Sequence, residues 1–267
     1  MPNITPNGAE LYYEVRGNGP SVLLIHGGGG DCGTVIRLAE ILAKDFTVVT
    51  YDRRGLSRSP RPTPWKQTSI AEQADDAAGI LTVLGFAPAA VVGHSLGALV
   101  ALELLLRHPG LVRRASLLDP GPLDSAIPDR KQKMAMPEVV RAAIAKGAPE
   151  AGFEALLRNL HIWDAIDEAA RRRVLGNAEV FFSHETPLLQ TYRPDDTLLG
   201  ANRVPVQVAA GTETPAVFQE MADWLAAHIN VGVEGLPGGH ASCIEFPEGV
   251  AEVIRPFLQN RSAARLS

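Results

Sequence analysis

Short runs of consecutive apolar residues alternate along this chain with longer stretches whose apolar positions recur at helical spacing. The runs fall at 22–25, 47–51, 89–92, 114–118, 204–211 and 231–236. Four to eight residues without polar alternation predict strands buried on both faces. The helical stretches lie at 35–44, 69–84, 98–106, 215–228 and 247–259, and in 69–84 the Ala and Asp positions read as the outer face. Strands alternating with helices of this length predict βαβ units, and hence an α/β fold built on a doubly wound, mostly parallel sheet. Residues 10–15, just after Asn7-Gly8, read as an edge strand following a hairpin turn.

From about 123 to 199 the strand signal stops. Helical patterns at 138–146, 151–159, 167–175 and 178–183 take its place, separated by Pro and Gly. An all-helical insertion between two parallel strands projects from their carboxyl ends. The expected organisation is a core of residues 1–121 and 200–267 with a helical cap inserted at 122–199.

Composition narrows the class. The 267 residues are 46% hydrophobic and 21% charged, with a net charge of −5. That acidic balance argues against nucleic acid or an anionic membrane as partner. The start, Met1 to Pro6, lacks the charged-then-apolar pattern of a signal peptide, and no run reaches the roughly 18 apolar residues of a membrane span. Cys32 and Cys243 read as free thiols of a reducing compartment, which leads to a cytoplasmic expectation. Arg113-Arg114 and Arg171-Arg172-Arg173 read as solvated helix faces. The expectation is of no metal and no cofactor. The oligomeric state stays open, a homodimer included.

The chemistry concentrates at Gly93-His94-Ser95-Leu96-Gly97, between the apolar run 89–92 and the apolar helix 98–106. Gly-x-Ser-x-Gly between strand and helix is a nucleophile elbow, a turn tight enough to strain its serine and to need glycine on either side. Serine requires a base within hydrogen-bond reach. His240, in the Gly-rich loop after the final strand, is placed to supply it. His26 and His94 read as loop-orienting, and His161 and His184 as cap residues. Two carboxylates compete to orient the base. Asp119 sits at the tip of the strand after the elbow; Glu213 lies in Gly211-Thr212-Glu213-Thr214-Pro215, one residue before the place where an Asp is usual. Asp119 is the favoured acid, with Glu213 as the alternative. Oxyanion donors are expected from the backbone N–H of Leu96 and of Gly28 in the loop His26-Gly27-Gly28-Gly29-Gly30. That glycine run lacks the Gly-Lys-Ser/Thr or Gly-x-Gly-x-x-Gly context of a phosphate loop.

With Ser95, a strand-tip acid and His240 in this order, the chain resembles the α/β-hydrolase superfamily over essentially its whole length. More narrowly it is similar to the branch of zearalenone lactone hydrolases, in Thr5-Pro6-Asn7-Gly8, Tyr12-Tyr13-Glu14, Gly17-Asn18-Gly19-Pro20, residues 209–215 and Leu236-Pro237-Gly238-Gly239-His240. The resemblance implies that the acid falls on Asp119, where that branch has a Glu, and that Gly28 and Leu96 form the oxyanion hole. It also implies that Phe181 stands where that branch has a Trp packing on the lactone. The function so implied is hydrolysis of a neutral, hydrophobic small-molecule ester or lactone through an acyl-enzyme. The alternatives are C–C bond hydrolysis, perhydrolysis or a biosynthetic tailoring step on the same fold, or a non-catalytic ligand receptor. Met134, Met136, Phe153, Leu156, Ile162, Trp163, Phe181 and Phe182 are the expected substrate pocket.

Overall fold

Residues 3–65 and 67–259 are described by a computed structural model. Met1 and Pro2, part of the stretch read for a leader, and the last residues of the expected core lie outside the described residues. Eight strands form one sheet: β1 (Asn3–Ile4), β2 (Leu11–Arg16), β3 (Ser21–Ile25), β4 (Thr47–Tyr51), β5 (Ala89–His94), β6 (Val112–Leu118), β7 (Val206–Gly211) and β8 (Val233–Leu236). Their spatial order is β1-β2-β4-β3-β5-β6-β7-β8. Every neighbouring pair from β4 to β8 is parallel, while β1–β2 and β2–β4 are antiparallel. The strand expected at the edge is therefore one place inside it, because Asn3 and Ile4 fold back onto Tyr12 and Leu11.

The continuous apolar runs follow from burial on both faces. In β3, Leu23 and Ile25 join one core while Val22 and Leu24 join the other; in β5, Ala89 and Val91 divide from Ala90 and Val92 in the same way. The first core packs under α2 (Ile70–Val83), α3 (Leu96–Arg107) and α11 (Ala216–Ile229). The second packs under α1 (Ile36–Leu42) and α13 (Pro247–Leu258). Between β6 and β7 the described chain forms only helices: α4 (Arg130–Lys133), α5 (Glu138–Ala145), α6 (Pro149–Asn159), α7 (Glu168–Gly176), α8 (Ala178–Val180), α9 (Leu188–Thr191) and α10 (Asp196–Ala201). A π turn, Phe181–Glu185, follows α8, and a short α12 (Ser242–Glu245) precedes α13. Among the described residues no helix is long and apolar enough to cross a membrane.

Two charge readings are corrected. Most of the Ala and Asp positions of α2 face inward: Ala74, Ala77, Ala78 and Asp76 are buried, while Ala71 and Asp75 are half-buried. Asp76 takes both Arg54 Nε and Nη2 at 2.5 Å, so the charge on the inner face is neutralised by a fork arriving from the loop after β4. The arginine runs are not simply solvated helix faces either. Arg114 is buried on β6 over the Phe257 ring, and Arg173 reaches the buried Asp31 at 2.5 Å.

Asp76→Ala leaves the Arg54 guanidinium with only the half-exposed Glu72 for a partner. The expected loss of stability is about 3–5 kcal/mol, checked by the midpoint of urea unfolding.

Candidate active site

The elbow is built by close approach. A Cβ on Gly97 would lie 2.4 Å from the Ile25 carbonyl oxygen, and one on Gly93 would lie 2.3 Å from the Gly97 carbonyl oxygen. Only hydrogen fits at both places, so the chain can turn from β5 into α3 directly over β3. Ser95, between them, is held at φ 55° and ψ −120°, a strained conformation for a residue with a side chain. Its N–H donates to the Leu118 carbonyl at 2.9 Å, and its own carbonyl accepts from Gly121 at 3.1 Å. The tip of β6 is thereby tied to the serine. Asp119, the next residue, takes φ 43° and donates its N–H to Ala209 of β7 at 2.8 Å.

His240 arrives from the loop after β8. Its Nε2 stands 3.1 Å from Ser95 Oγ. Two contacts fix the imidazole. Phe218 of α11 stacks on it with ring centroids 3.7 Å apart, and His94 Nε2 donates to the His240 carbonyl at 2.7 Å. Burial, then the neighbouring His94, holds His240 well below the usual histidine range, so the ring is neutral and able to accept a proton.

Asp119 is the carboxylate that faces this ring, but its Oδ1 stops 3.9 Å from His240 Nδ1. That is beyond a hydrogen bond, and Nδ1 has no other partner among the described residues. Burial pushes Asp119 up to about 7. The Thr214 hydroxyl, the Gly211 N–H and the Ser242 hydroxyl pull the other way; of these only Gly211 makes a well-formed hydrogen bond, at 3.1 Å. Glu213 is exposed, and its backbone N–H is taken by the Gly238 carbonyl. The structure thus brings Ser95, His240 and Asp119 together and leaves Glu213 outside.

Gly28 and Leu96 line the cavity beside Ser95. The Leu96 N–H belongs to the first turn of α3, where no intrahelical acceptor exists. Among the described residues no acceptor takes the Gly28 N–H.

Above these groups lies a cavity of about 390 Å³. Met134, Met136, Phe153, Leu156, Ile162 and Phe181 line it as expected from the sequence. Trp163 and Phe182 do not. Trp163 is packed in the second core with Arg158 and Arg171 over its ring, and Phe182 meets Phe181 and Phe153 edge-on from behind. The lining also carries charge that the sequence reading omitted. Arg130 is paired with Asp124, Lys133 with Glu220 and Glu185 with Arg53, while Lys131 lies exposed at the rim. Phe218 and His94 were legible only as an apolar helix position and an elbow residue; neither carried a signal for its contact with His240. An open hollow of about 490 Å³ between α11 and β8 holds none of these groups. Among the described residues no cluster of His, Cys, Asp or Glu is placed to hold a metal ion.

Residues 20–247 match the family model described as alpha/beta hydrolase fold. The chain is similar to the uncharacterized hydrolase YraK of Bacillus subtilis, 29% identical over 94% of this chain and 93% of that protein. It is 27% identical to the zearalenone hydrolase of Bionectria ochroleuca, over 94% of each. Among solved structures it is similar to a thermophilic esterase from Thermogutta terrifontis, with 25% identity, a TM-score of 0.74, and coverage of 96% of this chain and 97% of that one.

On a reading in which His240 is the base and Asp119 its acid, ionisation of Asp119 would separate the weak from the strong base, since burial already disfavours the imidazolium. The acid limb of kcat/KM is expected to rise through an apparent pKa near 7 as Asp119 loses its proton. In Asp119→Asn that limb disappears and kcat falls on the order of 10²–10⁴-fold, whereas Glu213→Gln leaves both unchanged. A pH–rate series on the three proteins checks this. For stability the sign is opposite: protonated Asp119 favours the fold fully below the unfolded carboxylate pKa, and that gain is lost as pH rises through about 7.

Proposed function

The chain belongs to the α/β-hydrolase fold family, and on that premise we propose that it is a serine hydrolase of neutral, hydrophobic carboxylic esters or lactones. The observation that carries this reading is the 3.1 Å contact between His240 Nε2 and Ser95 Oγ, made at a strained elbow on the floor of a largely apolar cavity. Hydrolase relatives and an esterase neighbour support the reaction class.

In this mechanism Ser95 Oγ attacks the carbonyl carbon while its proton passes to His240 Nε2. The oxyanion that forms is met by the N–H groups of Gly28 and Leu96, neither of which has an acceptor among the described residues. His240 then gives the proton to the leaving alkoxide, which departs as the alcohol. A water, deprotonated by the same nitrogen, attacks the acyl-enzyme, and the acid leaves with Ser95 restored. Asp119 stabilises the imidazolium in both halves by charge across 3.9 Å rather than through a direct hydrogen bond. An epoxide hydrolase or dehalogenase reading is disfavoured, since those reactions need an Asp at the elbow position that Ser95 holds.

The helical segment at 122–199 serves as the cap. Its Met134, Met136, Phe153 and Phe181 face the floor formed by Ser95 and His240, and supply most of the apolar wall. A volume of about 390 Å³ is at the small end of ligand sites, which favours compact acyl and alcohol groups over extended chains.

Ser95→Ala is expected to reduce p-nitrophenyl ester turnover to background and to abolish labelling by a fluorophosphonate, with an unaltered circular dichroism spectrum. Undiminished turnover would remove the assignment. Across a panel of esters, kcat/KM should be higher for neutral substrates than for those bearing a carboxylate.

A further inference from the structure

A loop of four glycines has no side chains with which to hold its own shape, yet the proposed oxyanion donor Gly28 lies inside one. The support comes from outside. The Gly27 carbonyl oxygen lies 2.8 Å from His26 Nδ1 and 2.8 Å from Arg53 Nη2, and it also accepts from Gly30 N–H at 3.3 Å. His26 Nε2 in turn accepts from the Arg53 backbone N–H at 3.2 Å, which leaves the proton on Nδ1, facing the carbonyl. Gly27 C=O and Gly28 N–H belong to one peptide plane and point in opposite directions in the trans form. Pinning the oxygen therefore aims the N–H.

The peptide on the other side of Gly28 is held by a different group. Gly29 N–H donates to Glu185 Oε2 at 2.6 Å. Glu185 is almost fully buried, and its second oxygen pairs with Arg53 Nη1, which also donates to Gln73 Oε1 at 2.6 Å. Arg53 is equally buried, and a guanidinium so enclosed stays in place only with an opposite charge against it. Glu185 comes from the π turn after α8, not from the sheet. The same turn lays Phe181 against Gly28, where a Cβ would lie 2.9 Å from the ring. Both peptide planes flanking the Gly28 Cα are thus fixed by one ion pair, half of it supplied by the inserted helices.

We propose that Glu185, acting through Arg53 and Gly29, is the positioning residue for the Gly28 oxyanion donor, so that the seating of the inserted segment sets the catalytic strength of the hole. This rests on the serine-hydrolase reading. A carboxylate offers acceptors on both oxygens, whereas an amide offers one acceptor and one donor group. In Glu185→Gln either Arg53 or the Gly29 N–H therefore meets a donor. Glu185 borders the cavity, but both of its oxygens are already taken by Arg53 and Gly29, so the change is expected to be felt mainly where negative charge develops.

The test pairs steady-state kinetics on a p-nitrophenyl ester with the affinity of a trifluoromethyl ketone of the same acyl chain. The ketone adds to Ser95 Oγ and places an alkoxide in the hole, while the ester KM reports binding of a neutral carbonyl. Loss of one oxyanion donor outright costs about 10²–10³ in kcat, so misaiming it in Glu185→Gln is expected to lower kcat about 10–100-fold. The ketone should weaken by the same factor with KM little changed, and Glu185→Asp should recover part of both. Unchanged kcat and ketone affinity, or a loss confined to KM, would overturn the proposal. Should Glu185→Gln not fold by circular dichroism, Arg53→Lys is read in the same two assays. It keeps the charge opposite Glu185 but cannot span Gly27, Gln73 and Glu185 together, and the same outcomes decide. Wild-type protein that neither turns over the ester nor binds the ketone would instead refute the serine-hydrolase reading itself.

Discussion

A main chain that must cross back over its own sheet within five residues governs this molecule. Gly93 and Gly97 permit the crossing because any Cβ at either place would meet backbone oxygen within 2.4 Å. From that contact the rest follows. The Ser95 N–H is turned toward Leu118, which ties the elbow to the tip of β6 and sets Asp119 beside it. The N-terminus of α3 is brought under the serine, leaving the Leu96 N–H free of an intrahelical partner. Parallel pairing of β3, β5, β6, β7 and β8 brings the glycine loop, Ser95, Asp119, Gly211 and His240 to the same edge of the sheet, since all stand at or just past the carboxyl ends of strands. Parallel strands make that edge a common address for loops of distant sequence.

The carboxylate that faces His240 does so at a distance. Placed at the end of β6, Asp119 approaches His240 from the neighbouring strand and falls short of Nδ1. Burial of an acid that accepts one well-formed hydrogen bond raises its pKa to about 7. Proton affinity on His240 and on Asp119 is therefore set mainly by exclusion of water rather than by their mutual contact. Apolar neighbours, Phe218 above all, become electrostatic determinants as much as packing ones.

Most of the sheet was legible because strands buried on both faces leave unbroken apolar runs, and the approach of His240 to Ser95 was legible because turn chemistry surrounds both. Asp119 could be chosen over Glu213 from strand position and family resemblance, and the exposure of Glu213 bears on the same choice. What escaped the reading were charges. Hydropathy patterns assign Asp and Arg to the outside, so Asp76, Arg114 and Arg173 were turned the wrong way; each is neutralised or covered by a residue far off in sequence. Glu185 and Arg53, 132 residues apart, illustrate the same limit: neither carries a local mark of the other. Trp163 and Phe182 failed for a related reason. An aromatic residue on a cap helix has two apolar sides available, cavity and core, and periodicity does not distinguish them.

The π turn at Phe181–Glu185 gives the inserted segment an unequal tolerance to two kinds of change. Its wide hydrogen bond, from Thr186 N–H to the Phe181 carbonyl at 2.8 Å, lets Phe181 and Glu185 bear on the same glycine loop. Each residue of an α-helix turns the chain by about 100°. Deleting one residue here would tighten the turn to α geometry and swing everything after it around the axis, separating carboxylate from loop even with Glu185 retained. Exposed side chains on α5, such as Glu138 and Arg141, can be exchanged while this alignment persists. In chains descended from this architecture, the number of residues between α8 and α9 is therefore constrained more tightly than their identities, and a gap at that point marks a molecule that aims its glycine loop by other means.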